Sequence, residues 1–351
     1  MSNKNLLSGR DKELQELAEQ YEAAMAENKP FYQDADELAD LADWYGTKKR
    51  YDKAFEIAEY GLKLHPDSTE LMIEYAYLHL DNGKKAKARE IIENLPDTYS
   101  PEAKVVRAHL LLSEGKLDDA EQLLDTIEDK ADLANVVDVS YMYLDMGYPD
   151  KALAWLDPVK EEYSDEEAYI AVVADCLYGK GMTEEAIPLY NRLIDMNPYS
   201  APYWFGLARC HFEEMNFNQA IDACDYALVG DDEFADAYVM KGHCFYQLGN
   251  EDAALEYYQK AEELHGLAPE FIYTYIGLCK VSKGEWKEGY ENLEKAILEN
   301  ETDEIASPIL PSLYANAGLC LSKMGKKRKA HQYCKKAHKL SPEEPESLLI
   351  E

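Results

Sequence analysis

The feature that most constrains this chain is a small residue that recurs about every 34 positions. Alanine takes this place eight times and glycine once, with successive steps of 34, 32, 32, 34, 34, 34, 35 and 41 residues. The nine residues are Ala54, Ala88, Ala120, Ala152, Ala186, Ala220, Ala254, Gly289 and Ala330. A period of this length is typical of repeat architectures, in which each unit buries its apolar face against a neighbour. The 351 residues therefore favour one extended array over several globular domains.

Each unit has the pattern of two amphipathic helices joined by a tight turn. With the recurring small residue numbered position 20, the stripe at positions 4, 7, 8 and 11 shares one face of a first helix. Positions 20, 24 and 27 form the matching face of a second helix. Position 8 is small in all nine units, which lets the paired helices approach closely, and position 15 is glycine in seven, which suits a left-handed turn. The pattern predicts about nineteen helices and no sheet.

These residues resemble the pattern of the tetratricopeptide-repeat (TPR) family. The sixth unit carries the resemblance most clearly, through Trp204, Leu207, Ala208, His211, Ala220, Cys224 and Ala227. The resemblance implies an all-α fold, a right-handed superhelical α-solenoid of about nine helix–turn–helix repeats with an N-terminal capping helix. We expect an N-terminal segment over 1–34, the solenoid over 35–342 and a tail over 343–351. The nine units are expected to start near residues 35, 69, 101, 133, 167, 201, 235, 270 and 311.

Several positions depart from the repeat pattern. Met215 stands where glycine is usual, and Pro158 falls inside a second helix, which should kink or split that helix. Pro188 lies early in its helix, where the cost is smaller. Seven extra residues within 299–311 predict a protruding loop or an extended helix. Residues 10–28 form an amphipathic pattern that we expect to cover the open face of the first unit.

The charge distribution bears on the class of partner. The net charge is −33, which argues against nucleic acid and anionic membranes, since both require a basic footprint. Residues 311–351 carry eight basic and four acidic residues, so this end is positive while the body is strongly acidic. The N-terminus lacks the apolar core of a secretory signal, and no apolar stretch is long enough to span a membrane. We therefore expect a cytoplasmic protein with a basic or neutral partner.

The residues that could act in catalysis or bind a metal recur at fixed positions of the repeat. Five of the seven cysteines occupy position 10 of consecutive units and the other two occupy position 24, as expected for small packed side chains. There is no pair of cysteines with zinc-ligand spacing, and no phosphate-binding, dinucleotide-binding, metalloprotease or nucleophile-elbow motif. The sequence therefore predicts no enzyme activity, no cofactor and no metal site.

With no catalytic or metal site predicted, the remaining candidate for a functional site is a binding surface. The TPR resemblance implies a concave groove lined by the first helices, chiefly at positions 2, 5, 9, 12 and 13. The side chains at these positions are unusually aromatic, and aromatic anchors are typical of binding surfaces. An alternative is that several of these rings pack against second helices as filler. The candidate groove residues are Tyr77, His109, Tyr141, Asp175, Tyr178, Phe205, Arg209, Phe212, His243 and Tyr246.

Three functional hypotheses follow. The leading one is a non-catalytic scaffold that binds a peptide or helix of a partner protein in the groove. The second is homotypic assembly, in which the basic last unit of one copy docks on the acidic body of another. The third is an enzyme with a site hidden in the superhelix, which the absence of any catalytic cluster outside the repeat register disfavours. The sequence does not carry the lysine and asparagine clamp with which some TPR proteins hold a carboxylate tail.

Overall fold

A computed structural model describes residues 11–27, 29–264, 269–300 and 308–341. Over these residues the chain forms twenty α-helices and one 3-10 turn, and it contains no strand. Helix α1 is Asp11–Ala26, and nine helix pairs follow it. They are α2 Ala35–Thr47 with α3 Tyr51–Leu64, α4 Thr69–Asp81 with α5 Lys85–Glu93, α6 Pro101–Ser113 with α7 Leu117–Leu124, α8 Leu133–Asp145 with α9 Pro149–Leu156 and α10 Lys160–Tyr163, α11 Glu167–Gly179 with α12 Thr183–Met196, α13 Ala201–Glu213 with α14 Phe217–Gly230, α15 Ala235–Gln247 with α16 Glu251–Glu263, α17 Pro269–Ser282 with α18 Trp286–Asn300, and α19 Leu310–Lys323 with α20 Lys327–Leu340.

The glycine at position 15 makes the turn within each pair. All seven of these glycines have a positive φ, between 69° and 77°. At Gly83 the turn closes with two hydrogen bonds, in which the Gly83 N–H donates to Leu80 O at 2.9 Å and the Lys84 N–H donates to His79 O at 2.8 Å. This pattern satisfies carbonyls at the end of the first helix. In the two units without this glycine, Lys49 and Met215 adopt the same left-handed conformation, with φ of 58° and 59°.

Proline acts differently in two of the second helices. Pro158 lies in a 3-10 turn, Asp157–Val159, that separates α9 from α10, so the split expected from the sequence is confirmed. Pro188 lies inside α12, which continues unbroken from Thr183 to Met196. The residues expected to form a loop or extended helix between units 8 and 9 fall mostly at 301–307, outside the described residues.

The core runs through the array along the small residues. Each alanine at position 20 exposes at most 1% of its surface, because the paired first helix packs directly on it. Helix α1 packs on the first pair through Leu14, Ala18 and Tyr21, which join the same apolar cluster as Leu38 and Leu41 of α2. The prediction of nine helix pairs preceded by an N-terminal helix is confirmed.

The chain divides into two compact units, residues 1–210 and residues 211–351. Within the first unit, consecutive first helices pack side by side in the order α2, α4, α6, α8 and α11. Within the second unit, α17 and α19 are likewise in contact. The first helices therefore share a face in each unit, and the side chains on it are the candidates for a binding surface.

Candidate functional site

Three of the candidate groove residues in the first unit are buried. Tyr77, His109 and Tyr141 each expose 8% or less of their surface. The rings of Tyr77 and His109 lie 5.7 Å apart, and burial lowers the pKa of His109 to about 4, so this histidine is neutral at pH 7. The Tyr141 hydroxyl donates to Asp175 Oδ2 at 3.4 Å. These side chains hold adjacent first helices together, and their membership of a binding surface stays a prediction.

Asp175, Tyr190 and Arg209 form a hydrogen-bonded cluster, here called the Asp175 cluster. The Arg209 Nη2 and the Tyr190 hydroxyl each donate to Asp175 Oδ1 at 2.7 Å, and the same Nη2 donates to the Tyr190 hydroxyl at 3.2 Å. Asp175 and Arg209 are exactly one repeat period apart in the chain, 34 residues, so the stack of repeats brings them alongside each other. The two side chains also form an ion pair.

The charges of the Asp175 cluster are balanced within it. Burial by itself would lower the pKa of Arg209, but the carboxylate of Asp175 outweighs that effect and raises the pKa. The guanidinium also lies over two aromatic rings, with its central carbon 4.4 Å from the Tyr178 ring centroid and 5.5 Å from that of Phe205. Cation–π contacts of this kind add to the ion pair. Arg209 is therefore held by four residues of its own unit, namely Asp175, Tyr190, Tyr178 and Phe205.

A second group of candidates lines a cleft in residues 211–351, here called the aromatic cleft. Its volume is about 280 Å³, and its lining residues, all within 211–351, lie on α15, α16, α17 and the last turn of α13. They are Phe212, His243, Tyr246, Gln247, Tyr258, Tyr275 and Leu278. The structure thus brings together three candidate residues, Phe212, His243 and Tyr246, with Leu278 and Gln247, which occupy positions 9 and 13 of the groove pattern. It adds Tyr258 and Tyr275, which sequence reasoning did not select.

The floor of the aromatic cleft is neutral. The Nδ1 of His243 lies 2.7 Å from the Tyr258 hydroxyl, and the two share a hydrogen bond whose donor depends on the imidazole tautomer. Burial lowers the pKa of His243 to about 4, so the imidazole carries no charge at pH 7. The rings of His243 and Tyr275 approach to 4.4 Å in an edge-to-face arrangement. The cleft therefore offers aromatic faces without a net charge.

Tyr258 reaches the cleft because of a glycine. A Cβ atom on Gly242 would lie 2.5 Å from Cε1 of Tyr258, much closer than non-bonded carbon atoms approach each other. The signal was present in the sequence, since position 8 is glycine in this unit and the bulky tyrosine stands at position 24 of the paired helix. Tyr275 carried no comparable signal, because its position 6 is not among those that the family resemblance assigns to the groove.

The thiols provide no reactive site. All seven cysteines are buried and free. Burial raises the pKa of Cys176, Cys244 and Cys279 to about 12 each, so these thiols stay protonated and weakly nucleophilic at pH 7. In the described part of the chain, no group of three or more histidine, cysteine or acidic side chains is arranged to hold a metal ion. Across those same residues, no helix combines the length and apolar character needed to cross a bilayer.

Family models match three parts of the chain. Two tetratricopeptide-repeat models match residues 47–108 and 311–344, and the model of anaphase-promoting complex, cyclosome, subunit 3 matches residues 179–261. A search of the curated protein sequences finds no match.

Three solved structures are similar to this chain in fold. The Cut9–Hcn1 hetero-tetramer of the APC/C is 15% identical over 90% of this chain and 82% of its own, with a TM-score of 0.50. A tetratricopeptide repeat protein of Parabacteroides merdae is 17% identical over 71% of this chain and 97% of its own, at 0.51. Pseudomonas aeruginosa PilF is 14% identical over 63% and 96%, at 0.53. The two family models show that the chain contains tetratricopeptide repeats, and the solved structures share its fold of paired helices.

Proposed function

We propose that this protein is a non-catalytic interaction scaffold that binds a peptide or helix of a partner protein on the face of its first helices. TPR proteins generally act as protein-interaction scaffolds, and the buried thiols of Cys176, Cys244 and Cys279 stay protonated at pH 7. The observation that supports the proposal most directly is the aromatic cleft formed by α13, α15, α16 and α17.

The chemistry of the cleft favours an apolar anchor on the partner. Phe212, Tyr246 and Tyr275 are only partly buried, so they retain aromatic surface that a ligand can cover. The neutral His243 gives no charge that would attract or repel a carboxylate. Among the lining residues, Gln247 has the only side-chain amide, and it is exposed. A leucine, methionine or phenylalanine side chain entering between the rings, with its backbone near Gln247, fits this arrangement.

The first unit adds a second aromatic surface to the same proposal. Tyr178 and Phe205 are partly exposed, and the guanidinium of Arg209 lies over both rings. A partner segment that contacts these rings would find their orientation already fixed, because Arg209 is held by Asp175. Ordering of the surface before binding lowers the entropic cost of association.

The test uses peptides selected from a displayed random library on the full chain, with the strongest binder resynthesised with a fluorescent label. Fluorescence anisotropy then compares the wild type with the Phe212→Ala/Tyr246→Ala variant. We expect a loss of about 1–3 kcal/mol per anchor, which corresponds to roughly 5- to 150-fold in Kd. The matched control is Tyr226→Ala on α14, where the tyrosine is 55% exposed and lies outside the cleft.

Two outcomes decide the proposal. Weaker binding by the double variant, with Tyr226→Ala unchanged and helicity by circular dichroism intact, supports the cleft. Equal binding by the double variant and the wild type, again with unchanged helicity, shows that the cleft is not the binding site.

A further inference from the structure

A pocket of about 320 Å³ lies between α2, α4 and the start of α6, within residues 1–210. Every charged residue that lines this acidic pocket is an acid. Six of them are Asp36, Asp40 and Asp43 on α2, Glu70 and Glu74 on α4, and Glu102 on α6. Ala39 and Ile73 contribute apolar surface between the carboxylates. A chain with a net charge of −33 has many acidic clusters, so the acidity alone does not define a site.

Glu74 distinguishes this cluster from the others. Only 5% of its surface is exposed, and its Oε1 has no hydrogen-bond partner among the described residues. Buried polar atoms in folded proteins are nearly always paired, because an unpaired one costs about 1–3 kcal/mol and a charged one costs more. Burial, and next the nearby carboxylate of Asp43, raise the pKa of Glu74 well above its ordinary value. The fold therefore keeps a carboxyl group in an unfavourable position that a cation would relieve.

We infer that the acidic pocket binds a lysine or arginine side chain presented by a basic segment of a partner protein. The ammonium or guanidinium would donate to Glu74 Oε1 and offset the repulsion between Glu74 and Asp43. The aliphatic stem of the same side chain would lie on Ala39 and Ile73, as long basic side chains do when they cross apolar surface. A metal ion is disfavoured, because these carboxylates are not among any group spaced to ligate one in the described residues.

The acidic pocket and the aromatic cleft belong to different units of the chain. The inference rests on the proposal that the protein binds other proteins, but it does not rest on the cleft. The two proposals can therefore be refuted independently. Glu74→Gln leaves the aromatic cleft unchanged, and Phe212→Ala/Tyr246→Ala leaves the acidic pocket unchanged.

The binding test uses a short blocked peptide of alternating lysine and serine, labelled with fluorescein, and the same peptide with every lysine acetylated. Anisotropy is measured on the full chain at about 0.15 M salt, where attraction between distant exposed charges is largely screened. Glu74→Gln is compared with Glu184→Gln, which removes one exposed acid from the first turn of α12. Both variants replace one carboxyl group with an amide, so they differ only in where that carboxyl group was.

We expect Glu74→Gln to weaken binding of the lysine peptide by at least about tenfold, since a buried charge partner is lost, and Glu184→Gln to change it by less than about twofold. The acetylated peptide should not bind. Equal losses in the two variants, or equal binding of the two peptides, would overturn the inference, because diffuse negative charge would then explain the binding.

A second copy of the chain is the alternative occupant, because α20 presents several exposed basic residues, Lys327, Arg328, Lys335 and Lys339 among them. Sedimentation of the wild type and of Glu74→Gln separates the two cases. A monomer in both supports the basic segment of a different protein. Self-association that disappears in Glu74→Gln would overturn that assignment and place the second copy in the pocket.

Discussion

Replacing Gly206 with alanine tests how the Asp175 cluster is held in place. Gly206 lies in the middle of α13, and a Cβ atom there would lie 2.2 Å from Cε1 and 2.6 Å from Cζ of the Tyr190 ring. The ring has little freedom to move away, because its hydroxyl donates to Asp175 and accepts from Arg209. Tyr190 is also buried, so the space around it is already filled.

The expected magnitude follows from two opposing effects. Alanine in place of glycine within a helix ordinarily stabilises a protein by about 1 kcal/mol. Overpacking a filled core costs about 1–3 kcal/mol, and the 2.2 Å approach places this site at the upper end of that range. The net result should be a loss of about 2 kcal/mol in the free energy of unfolding, together with displacement of Tyr190 from Asp175.

Gly179→Ala is the matched control. Gly179 ends α11 in the same unit, and its added Cβ would lie 3.6 Å from Leu144 and 3.7 Å from Pro149, which are ordinary contact distances. This variant should be as stable as the wild type or more stable by up to about 1 kcal/mol. Urea unfolding followed by circular dichroism gives both values. If Gly206→Ala proves as stable as Gly179→Ala, the close packing between Gly206 and Tyr190 does not constrain the cluster.

Three further predictions concern the turns, the acidic pocket and the thiols. Met215→Gly should stabilise the protein by about 1 kcal/mol in thermal or urea unfolding, since Met215 is 74% exposed and has a φ of 59° that glycine adopts without strain; no gain would show that the methionine side chain contributes contacts there. Glu74 has a raised pKa in the folded state, so the folded protein binds its proton more tightly than the unfolded chain and loses stability as pH rises above the ordinary glutamate value. Glu74→Gln should therefore raise the Tm at pH 7 and match the wild type near pH 4; a lower Tm at pH 7 would contradict this assignment. Cys244→Ala, at a buried small-residue position, should cost about 1 kcal/mol or less and leave binding of the selected peptide unchanged; a large loss of binding would assign the thiol a direct role.

The candidate site divides into a part that the repeat register predicted and a part that it did not. Asp175 and Arg209 could be paired from the sequence, because residues one period apart on first helices become neighbours when the repeats stack. The same register placed Phe212, His243 and Tyr246 together. Tyr258 was not selected, although glycine at position 8 and tyrosine at position 24 gave a signal for it, because its ring reaches the cleft from a second helix through the gap left by Gly242. Tyr275 had no such signal in the register.

The tertiary structure also determines how deeply the side chains at position 9 of the first helices are buried. Tyr77, Tyr141 and His243 occupy the same position of their units, yet the first two are buried and the third lines the aromatic cleft. Their exposure depends on the size of the neighbours on the adjacent first helix and on how closely that helix packs. Neither quantity is a property of the residue itself or of its place in the repeat.

The sequence by itself determined the helix pairs and the turns between them. Helix termination is local, since glycine at position 15 and proline within a helix act through the backbone of their own turn, as Gly83 and Pro158 show. Only the tertiary structure decided the charge chemistry of the acidic pocket. Glu74 is one of many acids in the sequence, and it becomes exceptional because Asp43, from the preceding repeat, and the walls of the pocket remove it from water. That effect comes from residues distant along the chain, because the free energy of a buried charge depends on everything that surrounds it.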